Sequence, residues 1–248
     1  MACSTPGFFS SEIATCLVGS DGTPFHVHVK ALNKFLKPRL SDDSGAETKG
    51  VTLDFQDVDE TTFKHCCEYA YTGDYSVIPA PAEENGDIDQ LKERLFNRDN
   101  LTCNLFHPRI LPHFYNILQK YLDKPPMFQS SSTGVPDDLS EIYLCHARTY
   151  RHASRSDCPA LCGLSLYYLT KALESLVLRP DQVKYIVKLF CFVFEESEFM
   201  DNLQHILCEY MVWNLEVLMQ DSGFLDFLDR TPELERMVFR RMWTWGTI

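Results

Sequence analysis

The chain has 248 residues, is 45% hydrophobic and carries a formal net charge of -12 at pH 7. A chain of this size can bury a sizeable core, and we expect two tightly joined units. The negative charge repels a phosphate backbone and no basic stripe is visible, so the sequence disfavours nucleic-acid binding. The longest strongly apolar run, Leu189 to Phe194, is far shorter than the roughly 20 residues of a membrane-spanning helix.

The ten cysteines predict a disulfide framework only if the chain is secreted. The opening residues Met1-Ala2-Cys3-Ser4 do not begin the charged segment and apolar core of a signal peptide. We therefore expect reduced thiols, several of them acting as small hydrophobes on apolar helix faces. The expected location is intracellular, in the cytoplasm or the nucleus.

The predicted elements begin with a hairpin. Side chains alternate in character on both sides of the turn residues Gly19 to Gly22, which predicts two paired strands. Apolar residues then recur at helical spacing until Pro38 breaks the pattern. The predicted order of this half is strand 13–18, strand 24–27, helix 29–36, strand 51–54 and helix 60–71.

Residues 76–138 are predicted to form a largely mobile insertion. Proline, glycine, serine and acidic residues dominate 78–87 and 125–136. These stretches offer little apolar surface to offset the entropy lost when a backbone becomes ordered, so we predict no stable structure in either.

Helical periodicity returns after the insertion. We predict helices at 139–153 and 160–174, followed by an all-helical stretch at 179–248. Its last helix is predicted to begin with Thr231 at the N-cap and Pro232 at the first helical position.

Two sets of residues carry a family resemblance. The first set is Leu17-Val18-Gly19, Pro24-Phe25-His26-Val27-His28, Leu32 and Tyr69-Ala70-Tyr71-Thr72-Gly73. The second set is His146-Ala147, Tyr150, Ala153, Asp157 and Leu161. Together they resemble the BTB/POZ domain, and the pattern is most similar to the BTB proteins of filamentous fungi. The family's aspartate-lysine-tyrosine after the alanine is replaced by Ser154-Arg155-Ser156.

The resemblance implies an α+β fold, in which helices pack a small sheet of three or more strands. On this map residues 1–11 form an N-terminal arm and residues 12–178 form the BTB/POZ core. The insertion at 76–138 interrupts that core, and residues 179–248 form an all-helical C-terminal extension.

The resemblance also implies a non-enzymatic protein-protein interaction module, which binds protein partners or a second copy of itself as a homodimer. In BTB dimers the first helix and the segment before it form much of the interface. The matching residues here are Phe8, Phe9, Val29, Leu32, Phe35 and Leu36. The family's Ser-x-Phe-Phe after this helix is Leu36-Lys37-Pro38-Arg39, which places two charges and a proline at a usually apolar corner.

A second interpretation keeps the fold and assigns it the role of substrate adaptor for a cullin-3 ubiquitin ligase. Family members with this role place an apolar residue two positions before a glutamate. The matching positions are Gly45 and Glu47, and glycine lacks the side chain that fills the cullin pocket.

A third interpretation is an unrecognised hydrolase or metal enzyme. His26 and His28 alternate on one strand, as a metal-binding pair does, but no third ligand is predicted beside them. Cys158 and Cys162 have the wrong spacing for a zinc knuckle, and no glycine-rich phosphate loop is present. We therefore predict a protein without enzymatic activity, metal or cofactor.

Trp243 and Trp245 straddle one residue near the C-terminus. They are predicted either to dock onto the helical extension or to form an exposed anchor for a partner.

The apolar faces on both sides of the insertion predict one shared hydrophobic core, because neither half alone covers the sheet. Its predicted members are Phe63, Tyr69, Tyr71, Tyr143, Ala147 and Tyr150. We expect this split core to unfold as one cooperative unit.

Overall fold

The computed structural model of the chain describes residues 11–36, 52–76 and 139–245, with gaps at 175, 177, 196–197 and 199. The described part has a mixed α+β architecture, 71% helical with one small three-stranded sheet. The α+β class predicted from the sequence is therefore confirmed.

The elements follow the predicted order. The strands are β1 (Ile13–Val18), β2 (Thr23–His28) and β3 (Thr52–Phe55). The first helices are α1 (Val29–Phe35), α2 (Glu60–Thr72), α3 (Ser140–Arg155) and α4 (Pro159–Glu174). After a single 3-10 turn (Pro180–Gln182) come α5 (Val183–Glu195), α6 (Asp201–Leu218), α7 (Ser222–Arg230) and α8 (Pro232–Trp245). Each predicted strand and helix of residues 13–174 is confirmed, with ends that differ by at most two residues.

The sheet has the strand order β2-β1-β3. Strand β1 pairs antiparallel with β2, where Cys16 lies opposite Phe25, and parallel with β3, where Cys16 lies opposite Leu53. Gly19 and Gly22 adopt φ values of 74° and 64° in the hairpin turn. These left-handed conformations favour glycine, which explains the glycine pair in the sequence.

Both ends of α2 are set by local chemistry. The Asp59 carboxylate accepts a hydrogen bond from the Thr62 amide at 2.9 Å, as an N-cap does. At the other end Gly73 adopts φ 84°, and its amide donates to the Tyr69 carbonyl at 2.8 Å. This left-handed cap ends the helix at the Tyr-Thr-Gly sequence.

The last helix begins with Pro232 at its first position, as predicted. Thr231 precedes it, but its hydroxyl donates to the Phe227 carbonyl at 2.8 Å, so this side chain closes α7.

The buried side chains form two hydrophobic clusters. The sheet core includes Cys16, Val18, Leu32, Phe35, Phe55, Phe63, Cys66, Tyr75, Ala153 and Tyr168. The helical core includes Ile142, Tyr143, Ala147, Tyr150, Ile186, Phe190, Leu207, Phe224 and Phe227. Cys162 and Tyr167 on α4 are partly buried and pack against both clusters.

The predicted members of the shared core lie in two different clusters, so the prediction of one shared core is wrong. Phe63 lies in the sheet core, whereas Tyr150 lies in the helical core. Tyr71 is 37% exposed and belongs to neither. The physical reason lies in α3, which buries side chains on more than one face and therefore serves both clusters: Ala153 packs in the sheet core, while Tyr143 packs in the helical core.

The predicted division at residues 12–178 and 179–248 stays a prediction. Helix α3 lies on the N-terminal side of that boundary but contributes most of its buried apolar side chains to the helical core. Apart from residue 76, the predicted insertion at 76–138 lies outside the described residues. Within the ranges that the structure covers, no helix is both long and apolar enough to span a bilayer.

Candidate functional site

Most of the predicted interface residues of α1 are packed in or against the sheet core. Leu32 and Phe35 are fully buried in the sheet core, and Val29 and Leu36 are partly buried against it. Phe8 and Phe9 lie outside the described residues. A partner that binds α1 therefore cannot reach Leu32 or Phe35 without opening the core.

The outward face of α1 is polar. Lys30, Asn33 and Lys34 are its exposed residues. The Lys34 ammonium donates to the Ala70 carbonyl at 2.7 Å, which ties α1 to α2. This face offers charge and hydrogen-bonding groups, but no apolar side chain for a partner to bury.

Helix α8 is held against the helical core on one side. Leu234 and Val238 are buried in that core. The Arg241 guanidinium lies 2.9 Å from a carboxylate oxygen of Glu209 on α6, whose side chain is 1% exposed. A second nitrogen of Arg241 lies 2.8 Å from the Nδ1 atom of His205. Two apolar contacts and one ion pair thus fix the rotation of α8 about its axis.

The exposed part of α8 carries three large apolar side chains, which we call the α8 stripe. Phe239 is 64% exposed, Met242 is 41% exposed and Trp243 is 78% exposed. Their spacing of three and four residues places them on one face of the helix. Large apolar side chains grouped in this way mark binding surfaces, and tryptophan is the residue most enriched at binding hot spots.

The sequence predicted only part of this stripe. Trp243 was a candidate anchor, and the structure places it in the exposed position that an anchor needs. The Trp245 side chain lies outside what the structure describes. Phe239 and Met242 were missed. The available signal was the helical spacing of Phe239 from Met242 and Trp243, which places the three side chains on one face of α8.

The two strand histidines each have a partner within the chain. The Nδ1 atom of His26 is hydrogen-bonded to the Thr15 hydroxyl at 3.3 Å. The Nδ1 atom of His28 is hydrogen-bonded to the Tyr71 hydroxyl at 2.8 Å, and that hydroxyl also accepts from the His28 amide at 3.1 Å. Among the residues that the structure describes, no group of three or more histidine, cysteine or acidic side chains could hold a metal ion.

The described thiols are poor nucleophiles. Burial raises the pKa of Cys16 to about 11 and the pKa of Cys67 and Cys162 each to about 12. Because the thiolate is the reactive form, these side chains stay protonated and unreactive near neutral pH. The hydrolase interpretation gains no support from them.

A buried polar network, which was not predicted from the sequence, lies where α2, α3 and α4 meet. The Tyr75 hydroxyl is hydrogen-bonded to the Nδ1 atom of His146 at 2.9 Å. The Tyr168 hydroxyl donates to the Asp74 carboxylate at 2.6 Å. The rings of His146 and Tyr168 stack with centroids 5.8 Å apart. These contacts tie the segment after α2 to α3 and α4, so the network has a structural role.

The network predicts acid sensitivity. Burial, reinforced by the nearby His65, lowers the pKa of His146 from 6.5 to about 3. The unfolded chain therefore binds more protons at this residue between those two values. We expect the free energy of unfolding to fall as the pH falls through this window, in urea titrations at successive pH values.

A pair of variants assigns this pH dependence. His146→Asn keeps an amide within reach of Tyr75 but removes the titrating ring, so its stability should depend less steeply on pH. His26→Asn, at an exposed strand position, should keep the wild-type slope. Equal slopes for all three proteins contradict the role of His146.

A cleft of about 420 Å³ lies between β3, the end of α1 and the end of α3. Asn33, Leu36, His152 and the four residues of β3 contribute to its lining. Across it, a guanidinium nitrogen of Arg155 lies 2.8 Å from the Asp57 carboxylate. The chain on either side of the cleft continues into residues 37–51, which the structure does not describe.

Comparison of the chain with protein-family models, with curated proteins and with solved structures finds no match. The family resemblance therefore stays a prediction that rests on the motif residues.

Proposed function

We propose that the chain is a non-enzymatic protein-interaction protein built on a BTB-type fold. The order of hairpin, helix, parallel third strand and helix supports this fold, as does the Tyr-Thr-Gly sequence at the end of α2. The His-Ala pair of the resemblance lies in α3, where His146 and Ala147 are both fully buried. These positions are structural, so the motif supports the fold and leaves the function to be argued from the surface.

The observation that carries the function is the α8 stripe. Phe239, Met242 and Trp243 expose apolar surface on a helix that Leu234 and Val238 hold in place. A binding surface on a fixed helix loses little conformational entropy when a partner docks. The tryptophan and phenylalanine supply the large, rigid contact area that partners bury at interface hot spots.

The family's interface at α1 stays part of the proposal as a second surface. Its exposed side consists of Lys30, Asn33 and Lys34, so it fits a polar contact better than an apolar one. The cullin-3 adaptor role depends on Gly45 and Glu47, which lie outside the described residues. An intracellular location, in cytoplasm or nucleus, accompanies the proposal, and the free thiols of the described cysteines agree with it.

Affinity purification of the tagged full-length chain from the cells that produce it tests the proposal. We expect mass spectrometry to find specific proteins with the wild-type chain, an untagged copy of the chain included, and fewer of them with a Phe239→Ala/Trp243→Ala variant. Met219→Ala is the matched control, because Met219 is 46% exposed and lies outside the stripe. It should retain the wild-type set.

The outcomes separate the interpretations. Recovery of cullin-3 with the wild-type chain supports the adaptor role. Recovery of the same proteins by the stripe variant and by the control removes the stripe as the binding surface. A wild-type chain that retains no protein above the untagged background contradicts the proposed function.

A further inference from the structure

We infer that the partner of the α8 stripe is the same stripe on a second copy of the chain, with the two helices antiparallel. This inference rests on the proposed function, because it names the partner that the stripe binds. It differs from the dimer implied by the family resemblance, which uses α1.

The arrangement of side chains on α8 is self-complementary. At 3.6 residues per turn, Glu235, Arg236, Met242 and Trp243 occupy the same face as Phe239. Two of them lie three or four residues before Phe239 and two lie three or four residues after it. A two-fold axis beside Phe239 therefore brings the first pair of one helix onto the second pair of the other.

This pairing gives each exposed side chain a chemically suitable neighbour. Phe239 of one copy packs on Phe239 of the other, and aromatic pairs of this kind stabilise interfaces. Arg236 of one copy faces Trp243 of the other, which is the preferred combination for a cation-π contact. The methylene groups of Glu235 cover Met242 across the axis.

Arg236 can make that contact at little cost. Its present partner is Glu233, 2.9 Å away on the same helix, and both side chains are highly exposed. Exposed ion pairs of this type contribute little to stability, so the guanidinium can move from Glu233 to a neighbouring ring.

Charge also favours α8 as the meeting point. The whole chain carries a net charge of -12, so two copies repel each other over most of their surfaces. Apart from Arg241, which pairs with Glu209, helix α8 has two arginines, at 236 and 240, against two glutamates, at 233 and 235, so its outward charges balance. Two copies therefore meet less repulsion along this helix than along a surface with the average negative charge of the chain.

The contact is small. Three large side chains from each copy bury less than the roughly 1,200 Å² at the lower limit of standard interfaces. We therefore expect a concentration-dependent dimer with a dissociation constant in the micromolar range or above.

Sedimentation velocity of the purified full-length chain, from about 1 to about 200 µM, measures this equilibrium over the expected range. The wild-type chain should shift from monomer to dimer as its concentration rises. Phe239→Ala and Trp243→Ala should each weaken the dimer by about tenfold or more, as expected for hot-spot residues. Met219→Ala should dimerise like the wild-type chain.

Two further measurements test the antiparallel pairing. Arg236→Glu should weaken the dimer more than Arg236→Lys, because lysine keeps the cation that faces the tryptophan ring. Added salt should strengthen the dimer, since it screens the repulsion between two negatively charged copies. Weakening by salt contradicts the inference, because it indicates attraction between opposite charges at the contact.

Other outcomes also overturn the inference. A chain that stays monomeric at every concentration has no self-association through α8. A dimer that survives both stripe substitutions but is lost with Asn33→Arg, on the exposed face of α1, uses the family's interface. If the purified chain is monomeric while stripe-dependent proteins are recovered from cells, this inference fails and the proposed function stands. Circular dichroism of each variant confirms that it is folded.

Discussion

Replacing Phe63 with alanine should lower the free energy of unfolding by about 3 to 5 kcal/mol, the range for deleting a buried aromatic side chain. Phe63 is fully buried on α2 at the centre of the sheet core. Its ring centroid lies 5.3 Å from that of Phe25, 6.1 Å from that of Phe35 and 5.1 Å from that of Phe55. These neighbours come from β2, α1 and β3, so the substitution leaves a cavity where these three elements pack against α2.

The tryptophans make this substitution a test of cooperativity between the two cores. The chain has three tryptophans, Trp213, Trp243 and Trp245, and all lie in the C-terminal helices. Their fluorescence therefore reports unfolding far from Phe63. If the sheet core and the helical core unfold together, Phe63→Ala shifts the fluorescence transition in urea as much as the transition seen by circular dichroism.

Phe239→Ala is the matched control for this experiment. It removes the same side chain from an exposed position on α8, so it should change the free energy of unfolding far less than Phe63→Ala. A fluorescence transition that stays at the wild-type urea concentration in Phe63→Ala shows two independently unfolding units. That result contradicts cooperativity between the sheet core and the helical core.

Local chemistry explains why the elements could be predicted from the sequence. The ends of α2 depend on Asp59, whose carboxylate caps the first turn, and on Gly73, whose left-handed conformation ends the last turn. Both signals act over three or four residues and need no knowledge of the fold. The β1 and β2 strands could also be predicted from the sequence, because alternate side chains face the core in each.

The sequence could not predict which elements pack against each buried helix face. Helix α3 buries Ala153 in one core and Tyr150 in the other, so periodicity identified buried faces without showing what covers them. Leu32 and Phe35 show the same limit, because an apolar residue on a predicted helix suits a core as well as an interface. The structure places both in the sheet core.

The candidate site was predicted less completely than the fold. Trp243 was a candidate because a chain end frays by default, so a large aromatic there is expected either to dock onto the helices or to bind a partner. Phe239 and Met242 were missed because their role depends on which side of α8 docks, and that depends on Arg241 and on the acidic partner that α6 supplies. A buried carboxylate in a largely apolar helix gives no sign in the sequence of the cation it will meet.

Arg241→Met should lower the free energy of unfolding by about 3 to 5 kcal/mol, because it removes the cation beside a buried carboxylate. The Glu209 side chain is almost fully buried, and the Arg241 guanidinium lies 2.9 Å from it. Glu209→Met should cost less, since Arg241 is partly exposed and can turn toward water. Arg236→Met is the control, because its pair with Glu233 is highly exposed and should contribute only about 0 to 1 kcal/mol.

The double variant Glu209→Met/Arg241→Met completes a mutant cycle that isolates the pair. It replaces both charges with apolar side chains, so it should be more stable than Arg241→Met alone. Urea unfolding followed by tryptophan fluorescence measures all four proteins. If Arg241→Met costs no more than Arg236→Met, the ion pair does not hold α8 in place. The orientation of the α8 stripe must then depend on apolar contacts such as those of Leu234 and Val238.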